Sequence, residues 1–158
     1  MAKNEIPELT CPDFHRGSRR VKAVCLSREK GRKAEVGEAE LVIGFGALGD
    51  FHAGTKRQVS LLAEESINIM RAKGLRLKPG DFGENIVTEG IDLKALGIGT
   101  KVSVGRGIEL EITEIGKVCP ERCAIYYQAG DCIMPREGVF GKVLRGGLIK
   151  VGDEIRQI

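Results

Sequence analysis

The sequence has no tryptophan, and aromatic residues make up only 4% of it. Its core must therefore be built from Val, Ile, Leu and Ala, and it lacks the stacking platforms that single-stranded nucleic acids use. The formal net charge is only +3 and no dense Lys/Arg stripe is present, so nucleic acid is not an expected partner. No apolar run approaches the length of a membrane span, and no membrane association is expected. The N-terminal stretch MAKNEIPELTCPDFHRGSRR lacks the basic-then-apolar order of an export signal, which makes the cytoplasm the expected location. Cysteines stand at 11, 25, 119, 123 and 132, an odd set. In a reducing compartment they are thiols rather than a disulfide framework.

Glycine, by contrast, is plentiful at 22 residues, which implies many tight turns or close backbone approaches. At 158 residues the chain has the size of one domain, long enough to fold without disulfides or metal. Residues 1–19 are polar and aperiodic, a flexible leader, and residues 20–158 read as a single domain. Val21 to Ser27 reads as a mostly buried strand. Glu38 to Ile43 reads as a half-buried one, with Ala39, Leu41 and Ile43 on the same side. Four glycines between Gly44 and Gly54 argue against regular structure there. Val59 to Leu62 is a short strand leading into a helix over Ala63 to Lys73. Glu64 and Glu65 open that helix, Arg71 and Lys73 close it, and Gly74 stops it. Ile108, Leu110 and Ile112 alternate as the inward face of a strand. Val139 to Val151 reads as a hairpin turning at Arg145-Gly146-Gly147. Ile98-Gly99-Thr100-Lys101-Val102 is echoed by Val151-Gly152-Asp153-Glu154-Ile155, a repeated turn-then-strand that suits a barrel. The expected class is mainly β with a few short helices, as a barrel or sandwich.

Three segments could carry chemistry. Lys117-Val118-Cys119-Pro120-Glu121-Arg122-Cys123 follows the best strand, so it should be a loop at a sheet edge. Arg122 and Lys117 would favour the thiolate, the form that attacks or ligates, with Glu121 opposing them. Zinc held by Cys119, Cys123, Cys132 and His52, a redox pair, and unreactive packed thiols all remain open on spacing alone. Pro79-Gly80-Asp81-Phe82-Gly83-Glu84-Asn85 can form a turn whose amides converge on an anion, or a hairpin capped by its own side chains. Arg57 offers a phosphate-shaped fork and Ser60 a hydroxyl, with Gln58 and Ser60 on one strand face and Arg57 and Val59 on the other. A solvated edge is the plain alternative. His52, in a Gly-rich loop, is a metal ligand, an acid or a structural hydrogen-bonder.

Taken in order, Gly49-Asp50-Phe51-His52-Ala53-Gly54, Arg57 to Leu62, Pro79 to Asn85, Cys119 to Cys123, Asp131 to Gly138 and Gly147 to Asp153 resemble the MOSC domain, found at the C-terminus of molybdenum-cofactor sulfurases and as small stand-alone bacterial proteins. The resemblance implies that family's barrel-like fold, akin to the β-barrel of pyruvate kinase. It implies molybdenum-cofactor binding, with Cys123 as the catalytic sulfur carrier through a persulfide or as a molybdenum ligand. Arg57, Ser60, Gly83, Glu84, Asn85 and Arg122 become the cofactor-pocket candidates. The implied partners are a cysteine desulfurase as sulfur donor and a molybdoenzyme or cofactor-synthesis protein as acceptor. No pyridoxal phosphate is expected, because the lysine-bearing domain of the fused sulfurases is absent from this sequence. Two alternatives share the resemblance: a molybdenum-dependent reductase of small N-hydroxylated or S-oxide substrates, and a non-catalytic cofactor chaperone. Relatives are expected to carry a histidine after the first cysteine. Here position 120 is Pro, so a proton-transfer role at that position has no bearer.

Overall fold

The computed structural model describes residues 18–116 and 137–158. The leader through residue 17, and the segment 117–136 with Cys119, Arg122, Cys123 and Cys132, lie outside the described residues. The described chain runs β1 (Arg20–Leu26), β2 (Ala34–Glu35), β3 (Glu38–Val42), β4 (Gly46–Ala47), β5 (Val59–Ala63), α1 (Glu64–Arg71), β6 (Ile86–Glu89), α2 (Leu93–Leu96), β7 (Lys101–Val104), β8 (Ile108–Ile115), β9 (Val139–Arg145), β10 (Gly147–Lys150) and β11 (Ile155–Gln157). An eight-stranded sheet has the order β11-β7-β8-β9-β5-β6-β1-β2, and a three-stranded sheet the order β10-β3-β4. The protein is mainly β, as the sequence predicts.

Alternating side chains divide the sheet into two apolar layers. Val24, Val59, Leu61, Ile86, Leu110, Ile112, Val139 and Val143 join Leu41 and Ile149 of the small sheet in the larger cluster. On the other face, Ala23, Cys25, Leu62, Val87 and Phe140 pack under Ile67 and Met70 of α1. The β5–β6 pair is parallel, and a parallel pair needs a crossover, which α1 begins. Arg71 ties the end of that helix to the next segment by donating from Nε and Nη2 to the Leu77 carbonyl (3.1 and 2.9 Å).

The large sheet does not close by a continuous ladder, yet β11 at one end meets β1, next to the other end. Arg20 bridges Glu154, Val21 N–H donates to the Asp153 carbonyl (2.8 Å), and Ile155 N–H donates to the Arg19 carbonyl (2.9 Å). The echoed turn-then-strand segments lead into β7 and β11, and these pair with each other, Val102 opposite Gln157 and Val104 opposite Ile155. In that loose sense the fold is barrel-like.

Three local expectations are corrected. β9 and β10 do not form a hairpin: β9 pairs with β8 and β5, whereas β10 pairs with β3. A single residue, Gly146, carries the chain from one sheet to the other, and a Cβ there would fall on the Leu41 carbonyl oxygen. Ile43 does not continue the buried side of β3; that strand ends at Val42, and Ile43 is 65% exposed. Arg57 does not share the Val59 side. Its guanidinium lies 4.9 Å from the centre of the Phe140 ring, and Phe140 stands in register with Ser60, so strand alternation does not extend back to position 57.

Candidate functional site

The excursion that carries Cys123 leaves β8 and returns to β9, and its base is well defined. Ile115 pairs with Val139, and Gly116 N–H donates to the Gly138 carbonyl (2.6 Å). Just below, Ser60, Phe140 and Glu114 stand opposite one another across β5, β9 and β8. Arg57 covers this row. Its Nε and Nη2 donate to the two carboxylate oxygens of Glu114 (2.9 and 2.6 Å), a fork-to-carboxylate pair, while its plane rests near Phe140. At the far side of the base, Glu137 is nearly buried and accepts from Lys94 Nζ (2.7 Å) and from Ser66 Oγ (3.4 Å).

The Pro79 to Asn85 segment packs beside this row and is internally satisfied. Glu84 is fully buried, and its carboxylate accepts from the Gly80 N–H (2.9 Å) and the Phe82 N–H (3.1 Å). Burial pushes the Glu84 carboxyl up to about 7, against the lowering effect of the amides of Gly80, Glu84 and Phe82. Asn85 and Ser60 hold each other: Ser60 N–H and Oγ donate to Asn85 Oδ1 (3.0 and 3.2 Å), and Asn85 Nδ2 donates to the Cys25 carbonyl (3.1 Å). Gly80 has a positive φ of 93°, and a Cβ on it would strike the Lys33 carbonyl. Only glycine fits there. A Cβ on Gly83 would sit 3.1 Å from the Gly31 carbonyl oxygen.

Sequence reasoning missed the most polar buried cluster. Lys33 lies in a charged, glycine-punctuated stretch, yet its side chain and that of Asp50 are both fully buried. Lys33 Nζ donates to both Asp50 oxygens (2.9 and 2.7 Å) and lies 3.2 Å from His52 Nδ1. Asp50 also accepts from the Ser27 and His52 amides (3.1 and 3.0 Å). Burial alone would raise the Asp50 carboxyl. The Lys33 hydrogen bond, the two amides and the Lys33 charge overcome that and hold it below the usual carboxylate range. An ammonium can only donate, so Nδ1 accepts and a neutral His52 carries its proton on Nε2. The one available signal was the pair Asp50 and His52 flanking an aromatic within a glycine loop; nothing in the sequence tied it to Lys33.

Thr55 links His52 to Arg57: its hydroxyl donates to the His52 carbonyl (2.7 Å) and accepts from the Arg57 N–H (3.1 Å). Phe51, 45% exposed, stands edge-on to the His52 ring at 5.1 Å. The segment thus presents an aromatic, an imidazole and a guanidinium in succession. Cys25 is the small core residue expected: it is buried, and burial, then Glu84 and Glu35, push its thiol up to about 12. Among the described residues no group of three or more His, Cys, Asp or Glu could hold a metal, and three of the four zinc candidates lie outside them.

A family model described as the MOSC domain matches residues 49–156. The chain belongs to the MOSC domain family. YuaD of Bacillus subtilis is similar in structure, with a TM-score of 0.73 at 20% identity over 90% of this chain and 97% of that one. YiiM of Geobacillus stearothermophilus gives 0.66 at 14% identity over 89% and 75%, and YiiM of Escherichia coli 0.62 at 18% over 88% and 69%. Identities this low establish a shared fold and no more. No curated protein matches the sequence. No helix among the described residues is long and apolar enough to cross a membrane.

The molybdenum cofactor, which this family implies, is a phosphorylated pterin that needs a cation for its phosphate, a polar and aromatic edge for its ring, and a soft ligand for its metal. Arg57, 32% exposed and paired with Glu114, would be the cation. Phe51 and His52 meet the second, and the soft ligand implied, Cys123, lies outside the described residues. Ser60, Glu84 and Asn85 are buried, at 5%, 0% and 2% exposure, and Gly83 lies against the Gly31 carbonyl. Arg57, Phe51 and His52 are the residues that would hold the group, whereas Ser60, Glu84 and Asn85 are engaged by other protein groups.

Proposed function

We propose that the protein binds the molybdenum cofactor beside Arg57 and carries sulfur as a persulfide on Cys123. The observation that supports this reading is the span of the family match, residues 49–156, which runs from the Asp50–His52 loop through the excursion bearing Cys123. Arg57, at the base of that excursion, would take the phosphate, with Glu114 holding the guanidinium plane. When bound, the cofactor would supply a redox-active molybdenum centre with affinity for sulfur. Arg122 would add positive charge beside the thiolate.

The sulfur step is an exchange between thiols. The Cys123 thiolate attacks the outer sulfur of a persulfide on a cysteine desulfurase; a new S–S bond forms, the donor S–S bond breaks, and the donor cysteine leaves as thiolate. The same exchange passes the outer sulfur to a nucleophile on a molybdoenzyme or cofactor-synthesis protein and restores the Cys123 thiolate. The proposed setting is the reducing cytoplasm, where that thiol stays available.

The test is to purify wild type, Cys119→Ser, Cys123→Ser and Arg57→Ala from a cofactor-producing host and measure persulfide, pterin and molybdenum on each. Persulfide confined to proteins with Cys123, with pterin lost in Arg57→Ala, supports the carrier. Molybdenum tightly retained by wild type and lost in Cys123→Ser would instead favour the reductase. Pterin binding that needs Arg57, with no persulfide in any sample, would favour the chaperone.

A further inference from the structure

The opposite ends of β8 and β9 hold a second feature. A cleft of about 450 Å³ opens there, lined by Ile43, Arg106, Ile108, Arg145, Gly147 and Leu148 among others. The β8 strand has 8 residues, so at about 3.3 Å per residue the cleft is roughly 25 Å from the base of the Cys123 excursion. Three chain corners converge on it: the turn between β3 and β4, the turn between β7 and β8, and the Gly146 crossing from β9 to β10.

Charge and apolar surface are both out of balance in this cleft. Arg145 has a single contact with Glu109 at 3.4 Å and a side chain 67% exposed, a weak pairing. Arg106 has no carboxylate partner among the described residues. Two arginines therefore line one cleft, and the carboxylate paired with one of them, Glu109, is not part of its lining. Beside them Ile43 and Leu148 are 65% and 47% exposed, and Ile108 forms a buried floor. The volume falls within the ~300–1,000 Å³ of ordinary small-molecule sites, where a few polar groups orient a ligand on apolar walls. Guanidinium pairs are matched to carboxylate and phosphate oxygens.

We propose that this cleft is a second binding site, for a small carboxylate- or phosphate-bearing molecule. Its anion bridges Arg106 and Arg145, and its apolar body rests on Ile43 and Leu148. The site is independent of the cysteine chemistry. The probes are phenyl phosphate, benzoate, inorganic phosphate and phenol, titrated into the whole protein while the amide shifts of Gly107, Gly146 and Gly147 are followed by NMR.

Saturable shifts at those amides with phenyl phosphate or benzoate, and none with phenol, are expected; which anion binds tighter assigns the class. Inorganic phosphate alone should bind about fivefold or more weaker, because it leaves the apolar walls uncovered. Arg106→Ala and Arg145→Ala should each weaken binding about tenfold, Arg106→Lys less, and Cys123→Ser not at all. Both arginines sit at exposed corners, and an unchanged melting temperature in the single variants keeps the comparison sound. Shifts that fail to saturate with every probe, or an affinity unchanged in Arg106→Ala, would overturn the proposal. So would binding that maps to Arg57.

Discussion

Asp50 and Glu84 are both buried carboxylates and both are tied to Lys33, but in opposite ways. Asp50 meets the Lys33 ammonium directly, whereas Glu84 binds the Gly80 amide while the Gly80 carbonyl accepts from the Lys33 backbone (2.8 Å). With a cation, the buried carboxyl is held low; with amides alone, it is pushed up to about 7. Glu84 is also the more deeply buried of the two, at 0% exposure against 8% for Asp50, and its burial raises it with no cation to offset the cost. Of these two carboxyls the Lys33 ammonium acts on Asp50 alone, and Glu84 has only amides to oppose its burial.

The largest effect should come from breaking the ion pair. Lys33→Met leaves the Asp50 charge buried without its cation and should cost about 3–5 kcal/mol in chemical denaturation. Lys33→Met combined with Asp50→Leu should recover most of that loss, because the cost comes from the unpaired charge. A single variant within about 1 kcal/mol of wild type would contradict the contrast.

Glu84→Ala comes next, leaving the Gly80 and Phe82 amides without an acceptor, at about 1–3 kcal/mol for each. The same residue sets a pH dependence. Its folded value, about 7, lies above its unfolded value of 4.5, so the folded state binds the extra proton between those values. Glu84 therefore stabilises the fold below its unfolded value, and that contribution is lost as pH rises towards 7, on the order of 3 kcal/mol in all. Asp50 acts with the reverse sign: its contribution is present above its unfolded value of 3.8 and is lost as pH falls through its lowered folded value. Stability followed against pH should decline from mildly acidic to neutral in wild type, and that decline should vanish in Glu84→Gln.

A smaller structural effect separates Arg57, whose pair with Glu114 is partly exposed. Arg57→Ala should change stability by about 1 kcal/mol or less while removing most of the pterin carried through purification. Smallest of all, Cys25 should resist alkylation in the folded protein at mildly alkaline pH, as a buried thiol raised to about 12 must. Rapid labelling of Cys25 without unfolding would show that its layer opens.

The parts of this molecule legible in the sequence are those where local pattern and tertiary role agree. Ile108, Leu110 and Ile112 alternate because β8 buries one face, and Glu64, Arg71 and Gly74 bound α1 because a helix end is a local electrostatic and steric problem. Arg145-Gly146-Gly147 has the composition of a hairpin turn, yet the chain crosses from one sheet to the other there. What requires glycine there is the Leu41 backbone, more than a hundred positions earlier in sequence, passing alongside. Lys33 was illegible for the same reason: its neighbours Lys30 and Arg32 are exposed, and only folding brings Asp50 to it. At the candidate site, the motif residues Ser60, Glu84 and Asn85 were visible as polar groups near glycines. That Ser60 and Asn85 bind each other follows from the parallel β5–β6 pairing, which no local pattern encodes.

Sulfur delivered to the protein is expected to settle on Cys123. Wild type, Cys119→Ser and Cys123→Ser should each be incubated with a cysteine desulfurase and sulfur-labelled cysteine, then digested for peptide mass spectrometry without reductant. Label that gathers on the Cys123 peptide of the first two proteins, is released by thiol and is missing from the third is the predicted result. Label spread over the other cysteines, or equally present in Cys123→Ser, would contradict it.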